Sequence, residues 1–327
     1  MSEQFSLFAP EPQQAIDLSS LNPAQREAVE TTEGALLVLA GAGSGKTRVL
    51  TYRIAHLVAD LQIRPWNILA VTFTNKAAKE MRERLNTLLG GGTRGMWVST
   101  FHSMCVRMLR ENAEAIGYAP DFTIYDADDT KRLVKDVMAE LGYSTKTFPD
   151  GAIRSKISSA KNELIGPEEY IDRAGDAFDK VVGRVYAQMQ KRLKRTQCMD
   201  FDDLLMNAYI LLSTCPEVAN AYSSKFRYIL VDEYQDTNHA QYKIANLLAQ
   251  HWGNLMVVGD DDQSIYSWRG ADIRNILDFE KDWPEAKTVK LEENYRSTST
   301  ILGAANAVIA NNRGRKDKTP VHPWRGG

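Results

Sequence analysis

Five short apolar runs recur along the chain, at Ala35–Ala40, Ile68–Phe73, Trp97–Thr100, Tyr228–Val231 and Leu255–Val258. Each is bounded by turn or polar residues, the pattern of strands covered on both faces. Between them, Arg48–Leu61, Asn75–Leu89, His102–Ile116 and His239–Gln250 place apolar residues three and four apart, which predicts amphipathic helices. Strand and helix therefore alternate, and the fold class expected is α/β with a parallel sheet.

The stretch from Asn112 to Phe226 breaks that rhythm and is far longer than an ordinary connection, so it reads as an inserted domain. Within it, Asp128–Leu141, Val181–Leu193 and Asp202–Leu212 carry helix signals, with Gly142 as a stop after the first. The insertion is expected to be mainly helical. Near the end, Thr298–Asn311 reads as a helix with an apolar face at Ile301, Ala305, Val308 and Ile309, followed by a polar, proline-containing tail. Nothing later in the chain would cover that face, so the sequence is expected to be part of a longer protein.

Composition narrows the setting. At 327 residues, 43% hydrophobic and 25% charged, the chain has globular composition and room for two domains. A net charge of −2 leaves any nucleic-acid contact to a local patch. Cys105, Cys198 and Cys215 are widely spaced without a CxxC pair, which argues against a disulfide framework or a zinc site and fits a reducing, cytoplasmic setting. Met1–Gln14 lacks the pattern of a signal peptide, and no apolar run reaches the roughly 20 residues of a membrane span.

The strongest chemical signal follows the first strand: Ala40, Gly41, Ala42, Gly43, Ser44, Gly45, Lys46 and Thr47, then a helix. This is the strand–loop–helix context of a phosphate-binding loop, with Ala40 in place of its usual first glycine. Glycines let backbone N–H groups converge on phosphate oxygens, and the helix start adds favourable partial charge. Lys46 then bridges the β- and γ-phosphates of ATP, and Thr47 ligates Mg2+. At the end of another apolar run stand Asp232, suited to hold Mg2+, and Glu233, suited to orient or deprotonate the attacking water.

With these residues the chain resembles the UvrD/Rep/PcrA group of superfamily 1A DNA helicases, over nearly all its length. Leu21–Val29 resembles the Q motif, Ala40–Arg48 motif I, Thr72–Ala78 motif Ia and Ser99–Ser103 motif Ib. Asp232–Asn238 resembles motif II, Gly259–Gly270 motif III and Asn294–Ser297 motif IV. The resemblance implies a P-loop NTPase (RecA-like) sheet, with domain 1A at 1–110 and 223–292, helical domain 1B at 111–222 and the start of domain 2A at 293–327. It implies that Gln25 reads adenine, Tyr295 stacks on it, Arg48 belongs to the nucleotide loop, and Gln263 and Arg296 meet the γ-phosphate. Arg269 would link nucleotide to DNA.

Binding without base readout needs aromatic faces and phosphate contacts. Phe73, Tyr266 and Trp268 are the candidate stacking residues, and Thr72, Asn75, His102 and Arg269 the backbone contacts; Phe73, at the end of an apolar strand, is open to a core role instead, and His102 to a structural one. The run Lys191, Arg192, Lys194 and Arg195 is the clearest basic cluster, set to grip duplex ahead of a motor or to form a solvated helix face. The expected partner is single-stranded DNA and its junctions with duplex, with ATP and Mg2+ as cofactors and no membrane; movement 3′ to 5′ is implied by the resemblance alone. No segment matches the family's motifs V and VI, so slow hydrolysis and no unwinding are expected of this chain alone. A helicase–nuclease subunit and a non-hydrolysing nucleotide or DNA module stay open as alternatives. A P-loop kinase or GTPase would leave Gln25 and Phe73–Asn75 unexplained.

Overall fold

The computed structural model describes residues 15–263, 271–309 and 322–323. Its strands are β1 (Leu36–Ala40), β2 (Ile68–Thr72), β3 (Trp97–Thr100), β4 (Thr123–Ile124), β5 (Cys198–Met199), β6 (Tyr228–Val231), β7 (Leu255–Gly259), β8 (Lys287–Leu291), β9 (Glu293–Asn294) and β10 (His322–Pro323). Six of them form one sheet in the order β3-β2-β6-β7-β1-β8, with every neighbouring pair parallel.

Side chains along each central strand alternate between two cores. Leu37, Leu39, Ile229, Val231, Leu255 and Val257 enter one, while Leu36, Val38, Leu230, Met256 and Val258 enter the other. A parallel strand with both faces covered must be apolar at every position, which is why these strands read as continuous runs. The second core is closed by α1 (Pro23–Glu30), α2 (Lys46–Ala59) and α3 (Asn75–Leu89).

All five expected strands are present, with the second run ending at Thr72 so that Phe73 falls in a bend. The sixth strand, β8, escapes the sequence pattern because it pairs with β1 at the sheet edge. Only Val289 and Leu291 are buried there, while Lys287 and Lys290 face water.

The other face carries α4 (Phe101–Asn112) and helices from later in the chain. The insertion contributes α5 (Ala127–Glu140), α6 (Asp150–Asn162), α7 (Pro167–Arg173) and α8 (Ala177–Arg195), followed by α9 (Phe201–Thr214), α10 (Pro216–Lys225) and α11 (His239–Ala249). Later described helices are the short α12 (Arg274–Leu277) and α13 (Phe279–Asp282) and the 11-residue α14 (Ser299–Ile309). The stretch 111–222 divides between two cores: Val134, Ile153, Val182, Tyr186 and Met189 form one of their own, whereas Leu204, Leu205, Ala208 and Leu211 of α9 pack on the sheet. Helix α6, written DGAIRSKISSAKN, offers too few apolar residues for periodicity to find it.

A buried charge cluster ties insertion to sheet. Lys161 at the end of α6 is fully enclosed, 2.6 Å from Asp200 and 2.9 Å from Asp203 at the start of α9. Burial works to lower its ammonium pKa, and the two carboxylates overcome this and hold it well above the usual lysine range. Beside it, the Asn238 side-chain amide donates to Asn162 at 2.5 Å, joining α6 to the cap of α11. Among the described residues no helix is long and apolar enough to cross a membrane.

Candidate nucleotide site and the adjoining cleft

The expected phosphate loop lies between β1 and α2, at the carboxyl end of the sheet, where open α/β folds bind ligands. Gly43 and Gly45 sit in the left-handed region at φ +69° and +91°. Gly45 is the N-cap of α2, so Lys46 and Thr47 open that helix. Ser44 is buried, and its hydroxyl donates to the Gly41 carbonyl at 2.7 Å, which tightens the loop.

Gln25, expected to read adenine, is 1% exposed and braces the loop from behind: its amide donates to the Ser44 carbonyl at 2.9 Å. Its carbonyl accepts from the Asn22 N–H, while the Asn22 side chain accepts from the Gln25 N–H, a capping box that starts α1. Asn22 also reaches forward, donating to Glu293 Oε2 at 3.0 Å and to the Tyr295 hydroxyl at 2.8 Å. Sequence reasoning passed over Asn22, although an Asn-Pro-x-Gln start is a capping signal.

The segment after β8 closes over the loop. Asn294 is 3% exposed, donates to the Ala42 carbonyl and accepts the backbone N–H groups of Arg296 and Ser297. The Tyr295 N–H donates to the Gly43 carbonyl at 3.0 Å. Tyr295 and Arg296 are thereby fixed at the loop's edge, both side chains exposed, and the Arg48 guanidinium bonds Ser20 nearby.

Across the sheet, Asp232 and Glu233 follow β6 directly. Lys46 Nζ lies 3.0 Å from Glu233 Oε2, so loop lysine and acidic pair share one site. Glu233 takes a left-handed backbone conformation, φ 49°, a rare one for a side chain of its kind. Asp232 is 7% exposed, and burial, then the neighbouring Glu233, push its carboxyl up to about 7 against the pull of Lys46. A cation at this point would reverse that cost. A buried carboxylate, the Thr47 hydroxyl and a cradle of loop N–H groups are oxygen donors and phosphate partners suited to ATP–Mg2+.

The glutamate is itself held. Gln235, 1% exposed, donates from Nε2 to Glu233 Oε2 at 2.9 Å, and its Oε1 accepts the Asp260 N–H at 3.0 Å. Asp260, at the end of β7, in turn accepts from the Gln263 side chain at 2.5 Å.

Beside this site, Thr72, Phe73 and His102 come together in a cleft of about 480 Å³ whose far wall is α6, through Ser155, Ser158, Ser159 and Asn162. In this cleft the residue that sequence reasoning missed is Phe201. It is 57% exposed on the cleft and stacks on the His102 ring at 3.8 Å between centroids. Burial brings the His102 imidazole down to about 4, so the ring is neutral near pH 7. Asn75 is exposed at the start of α3, two residues after Phe73. Tyr266, Trp268 and Arg269 lie outside the described residues.

The expected basic cluster is only half available. Arg192 pairs with Glu140, and Lys194 lies 3.6 Å from the Tyr118 ring centroid while bonding the Ile116 carbonyl. Lys191 and Arg195 remain exposed on α8.

The chain resembles known proteins along most of its length. It is 56% identical over 301 residues to the ATP-dependent DNA helicase PcrA of Bacillus subtilis (strain 168), which covers 92% of this chain and 41% of that protein. The same-named protein of Leuconostoc citreum is 56% identical over 301 residues, 92% of this chain and 40% of that one. That of Staphylococcus aureus (strain Mu50 / ATCC 700699) is 54% identical over the same length, with 92% and 41% covered. The chain thus spans about two fifths of the length of the curated relatives it matches. The family model of the UvrD/REP helicase N-terminal domain matches residues 21–284, from the capping box of α1 to the turn before β8, and the chain belongs to that family.

Proposed function

We propose that this chain is the ATP-binding part of a DNA helicase motor that moves 3′ to 5′ along single-stranded DNA. The observation that carries the reading is the 3.0 Å pairing of Lys46 with Glu233, which brings loop lysine and acidic pair to one end of a parallel sheet. Lys46 and the loop N–H groups hold the phosphates, Tyr295 borders the base while Gln25 braces the loop from behind, and Thr47 and Asp232 would hold Mg2+. The metal's part is to neutralise phosphate charge. As the water oxygen bonds to the γ-phosphorus, the bond to the bridging oxygen breaks. ADP leaves with the electron pair, and Glu233 takes the water proton. Gln263 and Arg296 face the γ-phosphate.

DNA occupies the cleft of Thr72, Phe73, His102 and Phe201, with bases on the aromatic rings. Domain 1A comprises the sheet with α9 and α10, and domain 1B comprises α5 to α8, on the division of their cores. The setting is the cytoplasm. No segment of the chain matches the family motif that contributes an arginine to the phosphate, and such arginines are worth about 10³–10⁵ in rate. The 327-residue chain alone therefore binds ATP–Mg2+ and single-stranded DNA and hydrolyses ATP slowly.

Calorimetric titration with ATP–Mg2+, fluorescence titration with an oligonucleotide and a phosphate-release assay test this reading together. Wild type is expected to bind both ligands, Glu233→Gln to bind ATP without turnover, and Lys46→Ala to lose ATP affinity. Equal binding of ATP by Lys46→Ala, or fast DNA-stimulated turnover by the chain alone, refutes it.

A further inference from the structure

Gln235 belongs to none of the roles assigned so far, yet it is the residue that joins three parts of the phosphate site. Its amide nitrogen donates to the same Glu233 oxygen that Lys46 contacts, and its carbonyl accepts the backbone N–H of Asp260, whose carboxylate holds Gln263. One side chain therefore spans from the end of β6 to the end of β7.

The position is built for it. Gln235 is 1% exposed, and a Cβ added at Gly259 would come within 2.7 Å of its Oε1, so the absence of a side chain at Gly259 makes room for the amide. Both ends of the amide are used, in the one orientation that lets nitrogen donate to a carboxylate and oxygen accept from a backbone N–H. Nucleotide phosphates compete for Lys46, which would leave the bond from Gln235 to orient the Glu233 carboxylate.

We propose that Gln235 is a positioning residue for hydrolysis: it sets the carboxylate of Glu233 toward the attacking water and ties that orientation to the Asp260–Gln263 turn. The proposal rests on the reading of Glu233 as the base. It makes Gln235 indifferent to nucleotide binding and important only when the water attacks. Misplacing a reacting group by about 1 Å costs on the order of 100-fold in rate.

The test is steady-state ATP hydrolysis by the intact protein with saturating single-stranded DNA, alongside ATP–Mg2+ affinity. Gln235→Met keeps length and loses the hydrogen bonds to Glu233 and Asp260, together with the 3.5 Å donation to Asp236 Oδ2. The expected result is kcat lower by about 10- to 100-fold with ATP affinity held within about threefold. Glu233→Gln/Gln235→Met is expected to be no slower than Glu233→Gln, because the second change acts only through the first residue. A wild-type kcat in Gln235→Met, a loss confined to ATP affinity, or losses that multiply in the double variant would each overturn the proposal. If Gln235→Met does not fold, judged by thermal unfolding, Gln235→Asn carries the same test, since its amide is one methylene too short to reach both partners. If Glu233→Gln itself hydrolyses ATP at full rate, the reading of Glu233 as base fails and the proposal with it. If Glu233→Gln is slow and the Gln235 variants are not, only the proposal fails.

Discussion

Replacing Gly43 by Ala tests the arrangement of the nucleotide site. The backbone there is at φ +69°, and an added Cβ would meet Asn294 Nδ2 at 2.6 Å and Arg296 Cβ at 2.8 Å. Left-handed backbone costs an L-residue about 1–2 kcal/mol. Relieving the clash means moving the Asn294–Arg296 segment, which breaks the Asn294 to Ala42 and Tyr295 to Gly43 bonds at about 1 kcal/mol each. The total is about 3–4 kcal/mol, and it falls on the contact between the loop and the segment bearing Tyr295. If ATP binding needs both walls in place, affinity should fall on the order of 100-fold. Gly34→Ala is the control: its φ is +82°, with nothing within 4 Å of the added Cβ, so it carries backbone strain without the clash. It should lose about 1 kcal/mol of stability and keep its ATP affinity. Calorimetric titration of both variants decides the matter. Wild-type ATP affinity in Gly43→Ala would show that the two walls do not act together.

Other consequences are equally direct. Asn22→Ala removes the cap of α1 and both bonds to the Glu293–Tyr295 segment, so a loss of about 1–2 kcal/mol in urea unfolding is expected, with weaker ATP binding; unchanged binding would exclude Asn22 as a link to Tyr295. Lys161→Met leaves Asp200 and Asp203 buried without their cation and should cost about 3–5 kcal/mol, so a loss below about 1 kcal/mol in urea unfolding would contradict the enclosed ion cluster. His102 is held at about 4 in the folded chain against 6.5, so the unfolded chain binds the extra proton first and stability falls as pH drops from 6.5 to 4. That 2.5-unit difference amounts to at most about 3 kcal/mol. His102→Phe should flatten the pH dependence of the unfolding midpoint in this window, and an unaltered slope would place the acid sensitivity elsewhere.

Much of this protein is legible in the sequence alone. Strands covered on both faces must be apolar throughout, and a phosphate loop needs glycine, lysine and a hydroxyl in fixed order, so composition and spacing reveal both. Local rules end where a residue's partner is distant. Strand β8 was invisible because an edge strand buries only alternate residues, and α6 because one side faces a polar cleft. The placement of Asn22 against Tyr295, 273 residues away, of Phe201 against His102, and of Gln235 between Glu233 and Asp260 depends on how the sheet orders its strands. The sequence by itself determined five of the six sheet strands, the phosphate loop and the acidic pair, because each is specified by neighbours along the chain. Tertiary structure decided which side chains brace that loop, orient that acid and line the cleft, because those contacts join segments that only packing brings together.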